Sequence, residues 1–287
     1  MEMHKVILKS IAFTLPVLMF ASCGGNDEPE TPEIRLSSPE VINCVINGGS
    51  ASTLSSGGYT IITHEGSKTA DLQLKGFSMS SSSAPRDYII SSLPIVVNGS
   101  GSEKTYTVNT SSATSDDGTL SVSSLNIKYQ TGIADGDKSA DRMTLNFRSG
   151  SSLITMVPTE ISATGTTVTT NITSSSAHTS TKMVYRITVT PGSTKADLYV
   201  ANADFMAGMP ALGEMRFGDA DVEFREGGLS ISSASLIPSI DGVPSPNRPV
   251  TNLSAVVDLS GPVTVGFNCM GIFRVQADLQ GNLFQSE

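Results

Sequence analysis

The stretch Tyr59–Leu72, YTIITHEGSKTADL, decides the fold because much of it recurs, from position 59 to position 185, as Tyr185–Leu198, YRITVTPGSTKADL. The two stretches share a tyrosine, an isoleucine, a Gly-Ser pair and the tripeptide Ala-Asp-Leu, all in one fixed register. Composition alone is a poor explanation for such a match. The self-similarity therefore predicts two related structural units.

The repeat extends to both sides of this stretch. The further matched pairs are Pro32 with Pro158, Ile46 with Ile172, Ile90 with Phe217 and Ile95 with Val222. The last two pairs are shifted by one position relative to the others, as a one-residue loop insertion would produce. We expect an internal duplication with a first β-domain at residues 32–157 and a second at residues 158–287.

Both units alternate apolar and polar residues with the period of two that is typical of β-strands. The alternation is clearest at residues 59–62, 71–74, 121–123, 145–147, 197–200, 222–224 and 263–265. Asn-Gly and Asp-Gly pairs, which favour tight turns, lie at 47–48, 98–99, 117–118 and 241–242. No segment after residue 22 keeps a helical period. We predict an all-β chain of two related antiparallel β-sandwich or barrel-like units.

Residues 1–22 have the organisation of a cleaved signal peptide. Lys5 and Lys9 precede an apolar run at 11–20, which is shorter than the roughly 20 residues of a membrane-spanning helix. Two small residues then precede Cys23, an order that resembles the bacterial lipobox. The resemblance implies that Cys23 carries acyl chains such as palmitate and becomes the mature N-terminus. The alternative is an ordinary secretory signal followed by an incidental cysteine.

Residues 23–31 are predicted to form a flexible acidic tether. The sequence Asp27-Glu28-Pro29-Glu30 is too polar and too interrupted by proline to pack. It resembles the acidic tract that follows the lipidated cysteine in Bacteroidota lipoproteins. That resemblance implies a lipid-anchored protein of the outer membrane that faces the cell exterior. A plain solvated spacer, on a lipoprotein that faces the periplasm, is the alternative.

Charge and composition limit the partners. The net charge is −9, and removal of Lys5, Lys9 and Glu2 with the signal peptide makes it −10. Such a surface repels phosphate, so we expect no nucleic-acid partner, and membrane attachment must come from the acyl chains on Cys23. The low charged content of 16% and the absence of Trp are typical of exported all-β proteins.

The second unit carries a further resemblance. Its order of Tyr185–Leu198, residues 204–210 and residues 249–253 is similar to that of Bacteroidota lipoproteins with lipocalin-like (calycin-like) β-domains. This resemblance implies small barrels or barrel-like sandwiches whose ligands are mostly unknown, and it implies no chemistry.

A Met-rich apolar segment in this unit is a candidate binding region. Phe205, Met206, Met209 and Met215 lie within 13 residues, from 205 to 217, that connect two predicted strands. Flexible, polarizable methionines suit an adaptable apolar mouth. The alternative is that these side chains plug one end of the barrel as core.

The acidic row Asp219, Asp221 and Glu223 is the candidate for catalysis. On a strand, the three carboxylates share one face, while Val222 and Phe224 lie on the other. The pattern echoes the D-x-D-x-E of a chitinase-type glycosidase family, whose chemistry needs a different fold. A solvated strand face is the competing interpretation, and a hydrolase that uses this row is the alternative function.

Metal and cofactor sites find little support in the sequence. Residues 135–141 place oxygens at the first positions of a calcium loop, but Ala140 and Asn146 replace the required Gly and Glu. His64 and His178 lie outside metal-ligand spacing of any cysteine or other histidine. Cys44 and Cys269 lie in apolar strand-like settings, so we expect two buried thiols, with a disulfide as the alternative. We predict no cofactor and no metal.

The expected function is non-enzymatic binding or an accessory role at the cell surface. A small apolar ligand, a glycan and a protein are the candidate partners. Glycan binding would require exposed aromatic side chains for sugar stacking, and the tyrosines to test are Tyr88, Tyr106, Tyr129 and Tyr199.

Overall fold

The computed structural model of the chain describes residues 31–38, 42–47, 52–54, 58–78, 84–135, 138–189, 193–225 and 227–282. The predicted signal peptide, Cys23, the tether up to Glu30 and residues 136–137 of the acidic loop lie outside the described residues. Within the described ranges the regular secondary structure is β-strand, as predicted. None of these segments forms a helix long and apolar enough to cross a membrane.

Ten antiparallel strands form the first sheet. They are β1 Glu33–Ser37, β2 Ile42–Ile46, β3 Ser52–Leu54, β4 Gly58–His64, β5 Thr69–Phe77, β6 Arg86–Ser100, β7 Glu103–Thr114, β8 Ser121–Asp135, β9 Lys138–Ser149 and β10 Ser152–Pro158. Their order in the sheet is β1-β4-β5-β6-β7-β8-β9-β10-β2-β3. The sheet curls into a half-barrel.

Eleven strands form the second sheet. They are β11 Glu160–Asn171, β12 Ala177–Ser180, β13 Val184–Val189, β14 Lys195–Ala201, β15 Met215–Arg225, β16 Gly228–Leu236, β17 Ser239–Ile240, β18 Val243–Pro244, β19 Val250–Asp258, β20 Pro262–Cys269 and β21 Phe273–Asn282. The order β14-β13-β11-β21-β20-β19-β16-β15, with β14 also pairing with β15, closes an eight-stranded barrel. The predicted fold class is therefore confirmed: one unit is a closed barrel and the other a curled sheet.

The difference in closure comes from one strand. In the second unit, β11 is continuous and pairs with both β13 and β21. In the first unit, the same role is divided between β1, which pairs with β4, and β2, which pairs with β10. The short strand β3 pairs with β2 as β12 pairs with β11. The two units thus share one strand plan, interrupted in the first.

A β-bulge at the same place in both units supports the duplication. Between β5 and β6, two serines, of which Ser92 has a φ of 58°, face the single residue Asp71. Between β14 and β15, Gly218 and Asp219, the latter with a φ of 57°, face the single residue Asp197. Such bulges add one residue to one strand and increase the local twist.

Alternate strand residues build two separate cores. In the first unit Leu72, Ile127 and Phe147 are at most 1% exposed, and in the second Leu198 and Phe217 are fully buried. Val45 and Val157 of the first unit pack into the core of the second. Because β10 ends at Pro158 and β11 begins at Glu160, the chain passes from one unit to the other within a single residue.

The predicted turns have mixed outcomes. Asp117-Gly118 and Asp241-Gly242 form turns, with positive φ at both glycines. The turn predicted at Asn98-Gly99 is wrong, because β6 continues to Ser100 and the turn lies at 101–102. Gly99 instead allows a close approach of strands, since a Cβ there would lie 2.3 Å from the Glu103 carbonyl oxygen.

Candidate ligand-binding sites

One end of the second barrel gathers its long connections. Neighbouring strands of an antiparallel barrel run in opposite directions, so the connections that follow β11, β14, β16 and β20 share one end. We call this the mouth end. The connection from β14 to β15 includes the predicted Met-rich segment.

The structure separates the four residues of the predicted apolar mouth. Phe205 and Met215 are buried in the barrel core, where the Phe205 ring stacks on Phe273 with centroids 5.7 Å apart. Met209 is half-buried against the core, and Met206 is 43% exposed. Two of these side chains therefore plug the barrel, and the other two lie at its surface.

A backbone bridge holds this connection in a compact loop. Ala203 pairs with Leu212, whose N–H donates to the Ala203 carbonyl oxygen at 3.0 Å. Asn202, with a φ of 54°, turns the chain out of β14. The loop is thereby fixed at both ends and can position side chains for binding.

A pocket of about 700 Å³ opens beside this loop, and we call it the mouth pocket. Its lining residues are His178, Lys182, Asn202, Asp204, Ala207, Gly208, Met209 and Ala211. One side is therefore polar and charged, and the other is small and apolar. The polar side was not predicted, because the lining histidine and lysine come from the β12–β13 region, at least 20 positions from the loop in sequence.

His178 and Asp204 form a polar pair in the mouth pocket. Nε2 of His178 lies 3.1 Å from Oδ2 of Asp204, within ion-pair distance. The pair is not aligned for a hydrogen bond, so the buried Nε2 atom has no hydrogen-bond partner among the described residues. Both side chains keep about a fifth of their surface exposed, at 23% and 21%. A ligand can therefore contact the exposed parts of these two side chains.

Exposed apolar side chains surround the mouth end. They are Ile172, Met206, Ile237, Val243 and Ile272, with exposures between 41% and 65%. Two of them are adjacent, since the N–H of Ile172 donates to the Ile272 carbonyl oxygen at 2.8 Å. Exposed apolar residues that cluster at one end of a protein, rather than singly, mark a surface for contact with another molecule.

The acidic row lies on an open strand face. Asp219, Asp221 and Glu223 are all exposed, while Val222 and Phe224 point into the core, as predicted for a strand. Asp221 pairs with Lys195, and its side chain is 70% exposed. Asp219 occupies the bulge opposite Asp197. The row contains no enclosed carboxylate.

The four tyrosines named for glycan stacking form no exposed cluster. Tyr106 and Tyr129 are buried in the first unit, and Tyr129 donates its hydroxyl to Oδ2 of Asp141 at 2.7 Å. Tyr88 is half-buried against Phe77. Tyr199 is half-buried, with the Arg186 guanidinium carbon 3.9 Å from its ring centroid.

Cysteine and metal-ligand positions are as follows. Cys44 and Cys269 are buried thiols, as predicted, and burial raises their pKa to about 12 and about 11. His64 is exposed at the end of β4. Among the described residues, no three His, Cys, Asp or Glu side chains converge on a point suited to a metal ion.

A second pocket, of about 520 Å³, is lined by residues of the first unit, and we call it the junction pocket because its Arg142 also contacts the second unit. It is lined by the β6–β7 hairpin, by the end of β8 and by Arg142 of β9. Arg142 donates Nε to the Gly281 carbonyl oxygen at 2.8 Å and Nη1 to the Ser260 carbonyl oxygen at 3.2 Å. No residue of this pocket was predicted from the sequence.

Comparison of the chain with protein-family models, with curated proteins and with solved structures finds no match.

Proposed function

We propose that this chain is a non-enzymatic binding protein of the bacterial cell surface, anchored in the outer membrane by acyl chains on Cys23. Its ligand site is the mouth pocket. The observation that carries the proposal is the pocket of about 700 Å³ at the end of a closed barrel. This volume falls within the roughly 300–1,000 Å³ typical of small-molecule sites.

The lining of the mouth pocket indicates an amphipathic ligand. Lys182 and the His178–Asp204 pair offer charged and polar contacts, and Met209 offers an adaptable apolar one. Ile172 and Ile272, which are exposed at the same end of the barrel, offer further apolar surface. We infer a small molecule with an anionic or polar head and an apolar body.

The alternative of a hydrolase has less support. General acid catalysis by a carboxyl group requires an environment that keeps it protonated near neutral pH, such as an enclosed apolar site. Asp219, Asp221 and Glu223 instead face solvent. Glycan recognition by stacking has less support for a comparable reason, because Tyr106 and Tyr129 are buried.

The binding test uses the mature chain with Cys23→Ser, which removes the acyl acceptor and avoids detergent. The probe is 1-anilinonaphthalene-8-sulfonate, whose anionic head and apolar rings match the lining of the mouth pocket. We expect a saturable fluorescence increase that Lys182→Gln weakens about fivefold, since one charged contact is lost. Lys104→Gln, the same change in the junction pocket, is the control and should leave binding unchanged. Equal binding by both variants would count against the mouth pocket.

The anchor has its own test. Cells that express the full chain are labelled with radioactive palmitate, and the label should enter wild type and be absent from Cys23→Ser. Protease treatment of intact cells should release the chain by cleavage near Asp27 if it faces outward. Equal labelling of both forms would exclude lipidation at Cys23.

A further inference from the structure

The junction pocket is unusual for its charge. In a chain with a net charge of −9, its lining carries two cations, Lys104 and Arg142, and one carboxylate, Glu103. A local excess of positive charge on an acidic protein concentrates small anions.

Arg142 is a buried cation without a contacting anion. The residue is 7% exposed, and its guanidinium donates hydrogen bonds to carbonyl oxygens of the second unit. Among the described residues, no carboxylate lies within ion-pair distance of it. Burial lowers the pKa of Arg142, and the charge of Asp258 partly offsets this effect. These bonds use three of the five guanidinium N–H groups, which leaves two for a ligand.

Strand register places two more polar side chains beside this cation. Thr105 of β7 pairs with Gln130 of β8, and Gln130 pairs with Arg142 of β9, so the three side chains lie in a row across one sheet face. The Oε1 atom of Gln130 is buried and has no hydrogen-bond donor among the described residues. A buried acceptor without a donor is costly, and a ligand hydroxyl would satisfy it.

Two glycines shape the backbone around this pocket. Thr131 and Gly132, the latter with a φ of 68°, form a bulge opposite Asp141, whose Oδ1 accepts the Gly132 N–H at 3.1 Å. On the facing unit, a Cβ at Gly261 would lie 2.4 Å from Nη1 of Arg142. Glycine at 261 therefore lets the guanidinium reach the turn of the second unit.

We propose that the junction pocket binds a small hydroxylated carboxylate, of the chemical class of the sugar acids. The carboxylate would meet the unused N–H groups of Arg142, and a hydroxyl would donate to Oε1 of Gln130. The lining contains no aromatic side chain and one branched aliphatic, Ile133, so an apolar ligand is disfavoured. This site is separate from the mouth pocket in residues and in ligand chemistry.

Isothermal titration calorimetry of the mature Cys23→Ser chain tests the proposal. The probe is D-glucuronate. The comparison compounds are D-glucose, which lacks the carboxylate, and acetate, which lacks the hydroxyls. We expect saturable binding of D-glucuronate and markedly weaker binding of both comparison compounds. Absence of saturable heat with D-glucuronate up to about 10 mM would overturn the proposal, as would equal binding of D-glucose.

Three substitutions locate the binding at this pocket. Gln130→Leu should weaken D-glucuronate binding about tenfold, because it removes a direct contact, and Lys104→Gln should weaken it about twofold, because it removes a nearby positive charge. Glu103→Gln should strengthen D-glucuronate binding about twofold, since it removes a negative charge that repels the ligand carboxylate. Lys182→Gln in the mouth pocket is the matched control and should have no effect. Unchanged affinity in Gln130→Leu would overturn the assignment, and circular dichroism establishes that each variant is folded.

Discussion

The Oδ1 atom of Asp71 accepts a hydrogen bond from the backbone N–H of Ser92 at 2.9 Å, across a β-bulge. The equivalent aspartate of the second unit, Asp197, accepts one from the N–H of Asp219 at 3.0 Å. Both aspartates belong to the repeated Ala-Asp-Leu tripeptide. Aspartate is depleted from strands, and its presence here has a physical cause, since it satisfies a backbone donor that the bulge removes from the ladder.

The first prediction concerns these two aspartates. Asp71→Ala should lower the free energy of unfolding by about 1–2 kcal/mol, and Asp197→Ala by about 2–3 kcal/mol. The larger value reflects the additional bonds that Asp197 accepts from Arg216, Nε at 3.0 Å and Nη2 at 2.8 Å. Urea unfolding followed by far-ultraviolet circular dichroism measures both. Asp278→Ala, at an exposed position on β21, is the control, and equal stability of all three variants would contradict the assigned role.

The second prediction compares two equivalent tyrosines. The buried Tyr185 hydroxyl lies 3.0 Å from Oγ1 of Thr167 in the continuous strand β11. The Tyr59 hydroxyl is buried and has no hydrogen-bond partner among the described residues. Tyr185→Phe should lower the free energy of unfolding by about 1 kcal/mol, whereas Tyr59→Phe should leave it unchanged or raise it. Urea unfolding of the two variants measures the difference, and a larger loss in Tyr59→Phe would contradict it.

The third prediction concerns thiol reactivity. Burial raises the pKa of Cys44 to about 12 and of Cys269 to about 11, so both stay protonated at pH 8. The folded Cys23→Ser chain should react slowly with 5,5′-dithiobis(2-nitrobenzoate), and both thiols should react quickly in denaturant. Rapid reaction of either thiol without denaturant would show that its site is open.

The same two thiols give a pH dependence of known sign. The folded state holds the thiol protons more tightly than the unfolded state. The contribution of the two thiols to the free energy of unfolding is therefore present below pH 9 and is lost as the pH rises towards 11–12. Replacing both by alanine should therefore flatten the fall in stability between pH 9 and pH 11. Unfolding midpoints of the Cys23→Ser chain and of this variant measure the effect, and identical slopes would contradict it.

The fourth prediction concerns the acidic row. The triple change Asp219→Asn, Asp221→Asn and Glu223→Gln should keep the fold, because the Asp219 backbone N–H, and not its carboxylate, holds the bulge. Loss of the exposed Lys195–Asp221 ion pair should lower the free energy of unfolding by less than about 1 kcal/mol. Hydrolysis of 4-methylumbelliferyl diacetylchitobioside should equal the buffer rate for wild type and variant alike. Turnover by wild type that the triple change abolishes would instead support the hydrolase.

Local alternation and the repeat made the strands and the two-unit plan predictable. Leu72 and Leu198 lie at matching buried positions. The offset between the two repeats changes by one residue before the next matched pair, Ile90 and Phe217, and a connection between two strands lies in this interval. The interruption that divides β1 from β2 in the first unit was not predictable. Closure of the barrel depends on how far a single strand, such as β11 in the second unit, continues to pair with both of its neighbours.

Both pockets depend on register, which the sequence pattern leaves open. Thr105, Gln130 and Arg142 become neighbours only when β7, β8 and β9 are aligned, and one bulge changes that alignment. In the Met-rich segment, composition indicated an apolar role for all four residues. Packing against Phe273 then buries Phe205, while the turn of the loop leaves Met206 outside.

Methionine methyl spectroscopy tests the proposed function most directly. With ¹³C-methyl-labelled methionine in the mature Cys23→Ser chain, Met209 reports on the mouth pocket, the exposed Met206 reports on the loop beside it, and the fully buried Met156 reports on the core of the first unit. Titration with 1-anilinonaphthalene-8-sulfonate should shift the methyl signals of Met206 and Met209 saturably and leave that of Met156 in place. Signals of Met206 and Met209 that stay unchanged, while fluorescence reports binding, would place the ligand elsewhere and contradict the mouth pocket as the binding site.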